Sequence, residues 1–184
     1  MFVRDRMSAP AVVIAPGTTA SLALDFMETK KIRRLPVVRD GKLVGIITKS
    51  DLLAGGRKRG AGPVKTVAQL MTPKPLTVEP DETLETAAEL MMTRKVSGLP
   101  VMEGEQVVGI LTESDLFRAL CQMLGFGERG ARVVMSIKDD QDVLDSIRGR
   151  LKKMTVRSLV TAHDANRGMW DVVMRVRGRS KLVS

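Results

Sequence analysis

The 184-residue chain contains one cysteine, one histidine, one tryptophan, four phenylalanines and no tyrosine. A lone cysteine, Cys121, excludes an internal disulfide and reads as a small buried apolar residue. So few aromatic rings leave little material for a platform on which single-stranded bases stack. No apolar run is long enough for a transmembrane helix, and the opening "MFVRDRMSAP" has no apolar stretch of the length a secretory signal needs. The expected location is the cytoplasm, with no membrane partner. The single histidine, His163, lies beside Asp164 at a strand end without a second His, a Cys or a paired base, and reads as an exposed residue. A Walker loop, a metal-ligand cluster and a nucleophile with its base are all missing, so neither catalysis nor a metal or cofactor is expected.

Basic residues are in excess. Lys and Arg number 30 against 21 Asp and Glu, a formal charge of +9. Residues 1–124 carry +3 of this (17 basic, 14 acidic) and residues 125–184 carry +6 (13 basic, 7 acidic). Such a surface attracts polyanions, from nucleic acids to the phosphates of small nucleotides, without choosing between them. The 43% hydrophobic content is that of a globular protein.

The chain is written twice over part of its length. "GIITKSDLL" at Gly45–Leu53 returns as "GILTESDLF" at Gly109–Phe117, and a shift of 64 places aligns residues 7–53 with 71–117 without a gap. Of those 47 positions 17 are identical, among them Met7 and Met71, Pro16 and Pro80, and "LPV" at Leu35–Val37 and Leu99–Val101. An internal repeat of this length sets the fold class before any element is assigned.

Within a repeat, "VVIAPGTTASLALDFMETKKI" predicts a short strand, a turn at Pro16 and Gly17, and a helix from about Thr18. "RLPVVRDGKLVGIIT" predicts two strands joined by a tight turn at Asp40 and Gly41, and Ser50 or Asp51 starts a second helix. Each repeat is thus β-α-β-β-α. Residues 57–66 form a Gly-rich linker with a basic cluster at Arg57, Lys58 and Arg59, for which a solvated loop is the first reading and a nucleic-acid contact the second. Residues 125–184 predict a β-α-β-β module: an alternating strand, a helix with acids at its start and bases at its end, and two strands around Asn166-Arg167-Gly168.

The repeat, with its "LPVV", hairpin, Gly-apolar-apolar-Thr-x-Ser-Asp and closing helix, resembles the CBS domain, and two in tandem resemble a Bateman module. The whole order is similar to the proteins named for acetoin utilisation, whose last part resembles an ACT domain. The resemblance implies an α+β chain: CBS domain 1 at residues 1–56, the linker at 57–66, CBS domain 2 at 67–124 and a βαββ ACT-like module at 125–184.

A strand ending in Thr, followed by Ser and Asp at a helix start, gathers hydroxyls, free N–H groups and a carboxylate in one place. Helix-start N–H groups cradle phosphate, and a carboxylate accepts bonds from two ribose hydroxyls. The resemblance implies these roles: Thr48, Ser50, Thr112 and Ser114 near phosphate, Asp51 and Asp115 on ribose. Simple helix capping is the alternative for the two Asp. The resemblance also places the adenine wall in the opposite repeat: Ala15, Ala20 and Ile32 for the Asp115 cleft, and Glu79, Leu84 and Val96 for the Asp51 cleft. Before "LP" stand Arg33 and Arg34 in one repeat and Ser97 and Gly98 in the other; the resemblance implies that these positions point toward phosphate, which would equip the Asp51 cleft with arginines, and a solvated edge is the alternative.

The function expected is a regulatory, non-enzymatic sensor of an adenine nucleotide such as AMP, ADP or ATP, acting on a protein target. A nucleic-acid-binding regulator using the linker and tail is the alternative. A homodimer is expected, with Leu22, Phe26, Leu90 and Met91 as candidate helix faces and an intramolecular core as the alternative for them.

Overall fold

The computed structural model describes residues 1–56, 65–138, 142–150 and 154–177. The basic cluster Arg57–Arg59 therefore lies outside the described residues. Two compact units divide the chain, residues 1–116 and 117–184.

The first unit begins with a 3-10 turn at Val3–Asp5, followed by α1 (Ala20–Lys30), β1 (Arg34–Arg39), β2 (Lys42–Thr48) and α2 (Lys49–Gly56). The second half repeats this order as α3 (Val67–Leu70), β3 (Thr72–Pro73), α4 (Leu84–Arg94), β4 (Gly98–Glu103), β5 (Gln106–Thr112) and α5 (Glu113–Met123). Both hairpins are antiparallel, and both break register at the same place, between Val37 and Val38 and between Val101 and Met102. Asp40 and Gly41 both take positive φ in the first turn, as a two-residue hairpin demands. The strand expected at the start of each repeat is reduced to one parallel bridge, Ile14 to Val37 and Val78 to Val101.

α1 and α4 are capped alike. The Thr19 and Thr83 hydroxyls accept from Leu22 N–H (3.4 Å) and Thr86 N–H (3.1 Å), so the helix starts one or two residues later than expected. Both helices end on a lysine in the left-handed conformation, Lys31 at φ 55° and Lys95 at φ 54°.

The repeats exchange their first segments. Met7 leads into Ser8, which exchanges two bonds with Ile110 of β5, while β3 pairs with Gly45 and Ile46 of β2. Val67, Leu70 and Met71 pack on the core of the first repeat with Leu35, Val37 and Ile47. This explains two repeated identities at once. A Cβ on Gly109 would stand 2.6 Å from Met7 Sδ, and one on Gly45 would overlap Met71 Sδ, so each glycine makes room for a methionine from the other repeat. Lys65 and Thr66, expected in the linker, are part of this packing: Lys65 C=O accepts from Ala20 N–H, and Thr66 bridges Thr19.

The second unit contains β6 (Ala131–Lys138), α6 (Val143–Arg150), β7 (Thr155–Asp164) and β8 (Met169–Arg177). The sheet order is β6-β8-β7, antiparallel throughout. Alternation along β8 puts Val172, Met174 and Val176 in a core with Ile137 and with Ile147 of α6. Asp142 caps α6 by accepting from Asp145 N–H at 3.0 Å. The β7–β8 turn is built on Asp164, whose Oδ1 accepts from Asn166 and Arg167 N–H, while Arg167 Nε donates to Oδ2 at 2.6 Å. Those bonds hold the Asp164 carboxyl below the ordinary carboxylate range, the side-chain bond from Arg167 contributing most. His163 is exposed and packs its ring at a tilt against Trp170, its cross-strand partner, with centroids 4.8 Å apart. Cys121, expected in a core, is exposed on α5.

Candidate functional site

The doubled motif folds into the same small object twice. At the start of α2 the Asp51 Oδ2 accepts from Thr48 N–H at 2.9 Å and from the Thr48 hydroxyl at 2.6 Å, and Thr48 Oγ1 accepts from Asp51 N–H at 3.2 Å. At the start of α5 the Asp115 Oδ2 accepts from Thr112 N–H at 2.9 Å and from the Thr112 hydroxyl at 2.6 Å. The first is a reciprocal capping box with Asp in the place usually taken by Glu, and the second repeats its two bonds from threonine to the carboxylate. The capping alternative is therefore what Oδ2 does in both copies, while Oδ1 engages in none of these bonds.

This geometry revises the role expected of threonine. The Thr48 and Thr112 protons are committed to Asp51 and Asp115, so these hydroxyls position the carboxylates instead of donating to a phosphate. The helix starts are also tied to the β1 and β4 entries: Lys49 N–H donates to Arg33 C=O at 2.8 Å, and Glu113 N–H to Ser97 C=O at 3.3 Å. Arg33 and Ser97 thus act through their backbones. The first N–H group of each helix is so engaged, and in α2 the third as well, while Ser50 and Ser114 hold the second position, exposed at the surface.

The residues expected as base walls differ in burial. Ala20 and Ile32 are half-buried against the first core, Ala15 is exposed, and Val96 and Ser97 are half-buried. Leu84, however, is 7% exposed and belongs to the core, because the start of α4 is clamped by the bond from Leu84 N–H to Met1 C=O. Glu79 lines a hollow with Pro80, Asp81, Met102, Glu103 and Gly104, all from the second repeat, and Asp51 is not among them.

Arg34 is the largest departure. It does not remain with its own repeat: a Cβ built on Gly98 would overlap Arg34 Nη1 and lie 2.8 Å from Cδ and 3.1 Å from Cζ. Burial pushes its guanidinium below the usual arginine range, Glu113 and Asp115 push it back up, and the neighbouring Arg33 adds to the lowering. The carboxylates facing Arg34 thus belong to the second repeat. The expectation that Arg34 equips the Asp51 cleft is overturned, because Gly98 offers the volume that a side chain would fill. Glu113 and Lys49, equivalent residues of opposite charge, also escaped the sequence reading. Lys49 Nζ pairs with Glu28 at 3.0 Å.

Among the described residues no group of three or more His, Cys, Asp or Glu could hold a metal, and no helix is long and apolar enough to cross a membrane.

A family model, the CBS domain, matches residues 3–56 and 67–122. Among solved structures, the CBS domain pair of protein MJ0100 in complex with 5'-methylthioadenosine and S-adenosyl-L-methionine is 31% identical (TM-score 0.62), covering 66% of this chain and 97% of that one. CBSX2 in complex with AMP is 35% identical (TM-score 0.59) over 66% and 97%. An acetoin utilisation protein, AcuB, from Vibrio cholerae is described as putative and is 28% identical (TM-score 0.62) over 71% and 98%. The first curated relatives are covered over only 59% to 63% of their length. Curated relatives include proteins named as CBS domain-containing and also enzymes.

Proposed function

The chain belongs to the CBS domain family, and from that premise we propose that it is a regulatory, non-enzymatic sensor that binds an adenine nucleotide or related adenosyl ligand in two clefts of residues 1–116. The observation that carries this reading is the pair of matching Thr–Asp boxes, each presenting a carboxylate at a helix start. Solved relatives that hold AMP or S-adenosyl-L-methionine support the ligand class.

In each cleft Asp51 or Asp115 receives the ribose hydroxyls on the oxygen that its threonine leaves aside. The Ser50 or Ser114 N–H and hydroxyl meet the phosphate, helped by the positive end of the helix dipole. Ala15, Ala20 and Ile32 form the base wall of the Asp115 cleft, and Val96 contributes to that of the Asp51 cleft. Occupancy regulates a protein target only if the ligand binds one arrangement of the repeats more tightly than another.

The β6-α6-β7-β8 unit is ACT-like in this reading, and the protein works in the cytoplasm as a homodimer. Leu22, 60% exposed, fits a pairing face, and Leu53 and Met92 are exposed apolar residues of the same two repeats. Phe26 and Leu90 are half-buried, and Met91 is core. Calorimetric titration of the full chain with AMP, ADP, ATP, S-adenosylmethionine and adenosine at two salt concentrations tests the proposal. Saturable binding that survives the higher salt supports it. Heats that vanish with salt would instead indicate attraction of polyanions to the net positive charge.

A further inference from the structure

Two clefts written by one repeat are made unequal by one side chain. Arg34 and Gly98 are the same position under the 64-residue shift, the first residues of β1 and β4. The two equivalent positions lie against one another. Two arginines there would collide, and two glycines would leave a void. One arginine beside one glycine fills the space, and the occupant comes from the first repeat.

Its new surroundings are acidic. Arg34 is half-buried and faces Glu113, the first residue of α5, and Asp115, the carboxylate of the second box. The first cleft differs: its helix begins with Lys49 where the second has Glu113. Without Arg34 the Asp115 cleft would therefore present two carboxylates to an incoming phosphate, and like charges at short range repel. A guanidinium keeps its charge at any physiological pH and offers a planar fork of donors suited to phosphate oxygens.

We infer that Arg34 is a specificity residue for the cleft of the other repeat: lodged over Gly98 beside Glu113 and Asp115, it lets the Asp115 cleft accept an adenosyl ligand bearing phosphate. Deprived of it, that cleft is an acidic site for uncharged or cationic adenosyl ligands. The inference rests on the adenosyl-binding reading above and adds which charge class the second cleft selects, and by which residue.

The test is calorimetry on the full chain with AMP, adenosine and S-adenosylmethionine, in backgrounds that retain one intact cleft. With Asp51→Asn leaving the Asp115 cleft, Arg34→Ala is expected to weaken AMP about tenfold while adenosine changes by less than about twofold, as loss of one charge-assisted contact implies. S-adenosylmethionine, whose sulfonium is cationic, is expected to gain. With Asp115→Asn leaving the Asp51 cleft, Arg34→Ala is expected to leave all three ligands within about twofold, since Arg34 does not serve that cleft. Gly98→Ala displaces the guanidinium without deleting its charge and is expected to lower the AMP-to-adenosine ratio in the same direction as Arg34→Ala. Should Arg34→Ala not fold, Gly98→Ala and Arg34→Gln carry the comparison, with thermal melts confirming the folded state. Equal losses for AMP and adenosine, or an AMP effect confined to the Asp51 cleft, would overturn the inference. A wild-type chain that binds none of the three ligands defeats the adenosyl reading itself, an outcome visible before any Arg34 variant is made.

Discussion

Arg34 reaches across to Gly98, its own equivalent in the other repeat, and occupies the volume a side chain there would need. An internal duplication has in this way become asymmetric at a place where its two copies meet. Fixing a half-buried guanidinium costs side-chain entropy and hydration, and the facing Glu113 and Asp115 offset part of that cost.

The first prediction follows from the overlap. Gly98→Ala should destabilise the protein by about 1–2 kcal/mol, because the added methyl forces the Arg34 side chain from its place. In an Arg34→Ala background the same change should be neutral or slightly stabilising, since the obstacle is gone and Ala is less flexible than Gly in the unfolded chain. Chemical denaturation of the four proteins in a double-mutant cycle measures the difference, and additive effects would mean the two residues do not share one space.

The second concerns the capping boxes. Asp51→Ala and Asp115→Ala should each cost about 1 kcal/mol of stability by releasing a helix start, and should weaken adenosyl ligands at the affected cleft by roughly 1.5–3 kcal/mol. Thr48→Ala should lower stability similarly yet affect ligand binding less, since Thr48 only holds the carboxylate. Denaturation curves paired with titrations check this; stability loss without any affinity loss would reduce both Asp residues to caps.

Much of this was legible in the residues. The shift of 64 places foretold matching helices, hairpins and boxes, because identical short-range patterns fold alike. The capping box was written in Thr-x-Ser-Asp, although its consequence, that the threonine proton is already committed, required distances. What stayed hidden is tertiary. Met7 and Met71 stood out as identities, but their exchange onto Gly109 and Gly45 of the opposite repeat depends on chain crossing that no local pattern encodes. Arg34 opposite Gly98 in the alignment was the available clue to the asymmetry, and it reads as a loss in the second repeat until the two positions are seen to touch. Leu84, read as a cleft wall, and Met91, left between a pairing face and the core, are both core for a simpler reason: apolar helix residues look the same whether they line a cleft, face a partner or fill a core.

The third prediction uses the helix ends. Lys31 and Lys95 hold left-handed φ values near 55°, a conformation that disfavours a side chain by roughly 1–2 kcal/mol, while Gly loses about 0.5–1 kcal/mol of chain entropy. Lys31→Gly and Lys95→Gly should therefore each stabilise the protein by about 0.5–1 kcal/mol. A raised midpoint in thermal or denaturant unfolding checks it, and a lowered one would show that these lysines make contributions beyond the cap.

The fourth concerns acid. Asp164 ionises below the ordinary carboxylate range because Arg167 bonds its charged form, so its contribution to the β7–β8 turn is present above the unfolded pKa and is lost as pH falls through the lower folded pKa. Arg167→Ala should raise the Asp164 titration toward the ordinary carboxylate range, since the largest cause of its lowering is removed. Carboxyl NMR shifts followed against pH report this directly, and an unchanged midpoint in the variant would remove Arg167 as the cause.

The most direct test of the central claim is the stoichiometry and salt dependence of AMP binding to the wild-type chain and to the Asp51→Ala/Asp115→Ala double variant, measured by calorimetry. Saturable binding that persists as salt is raised and is abolished in the folded double variant is the result this account predicts. Binding that the double variant retains, or that disappears for the wild type once salt is raised, would contradict it.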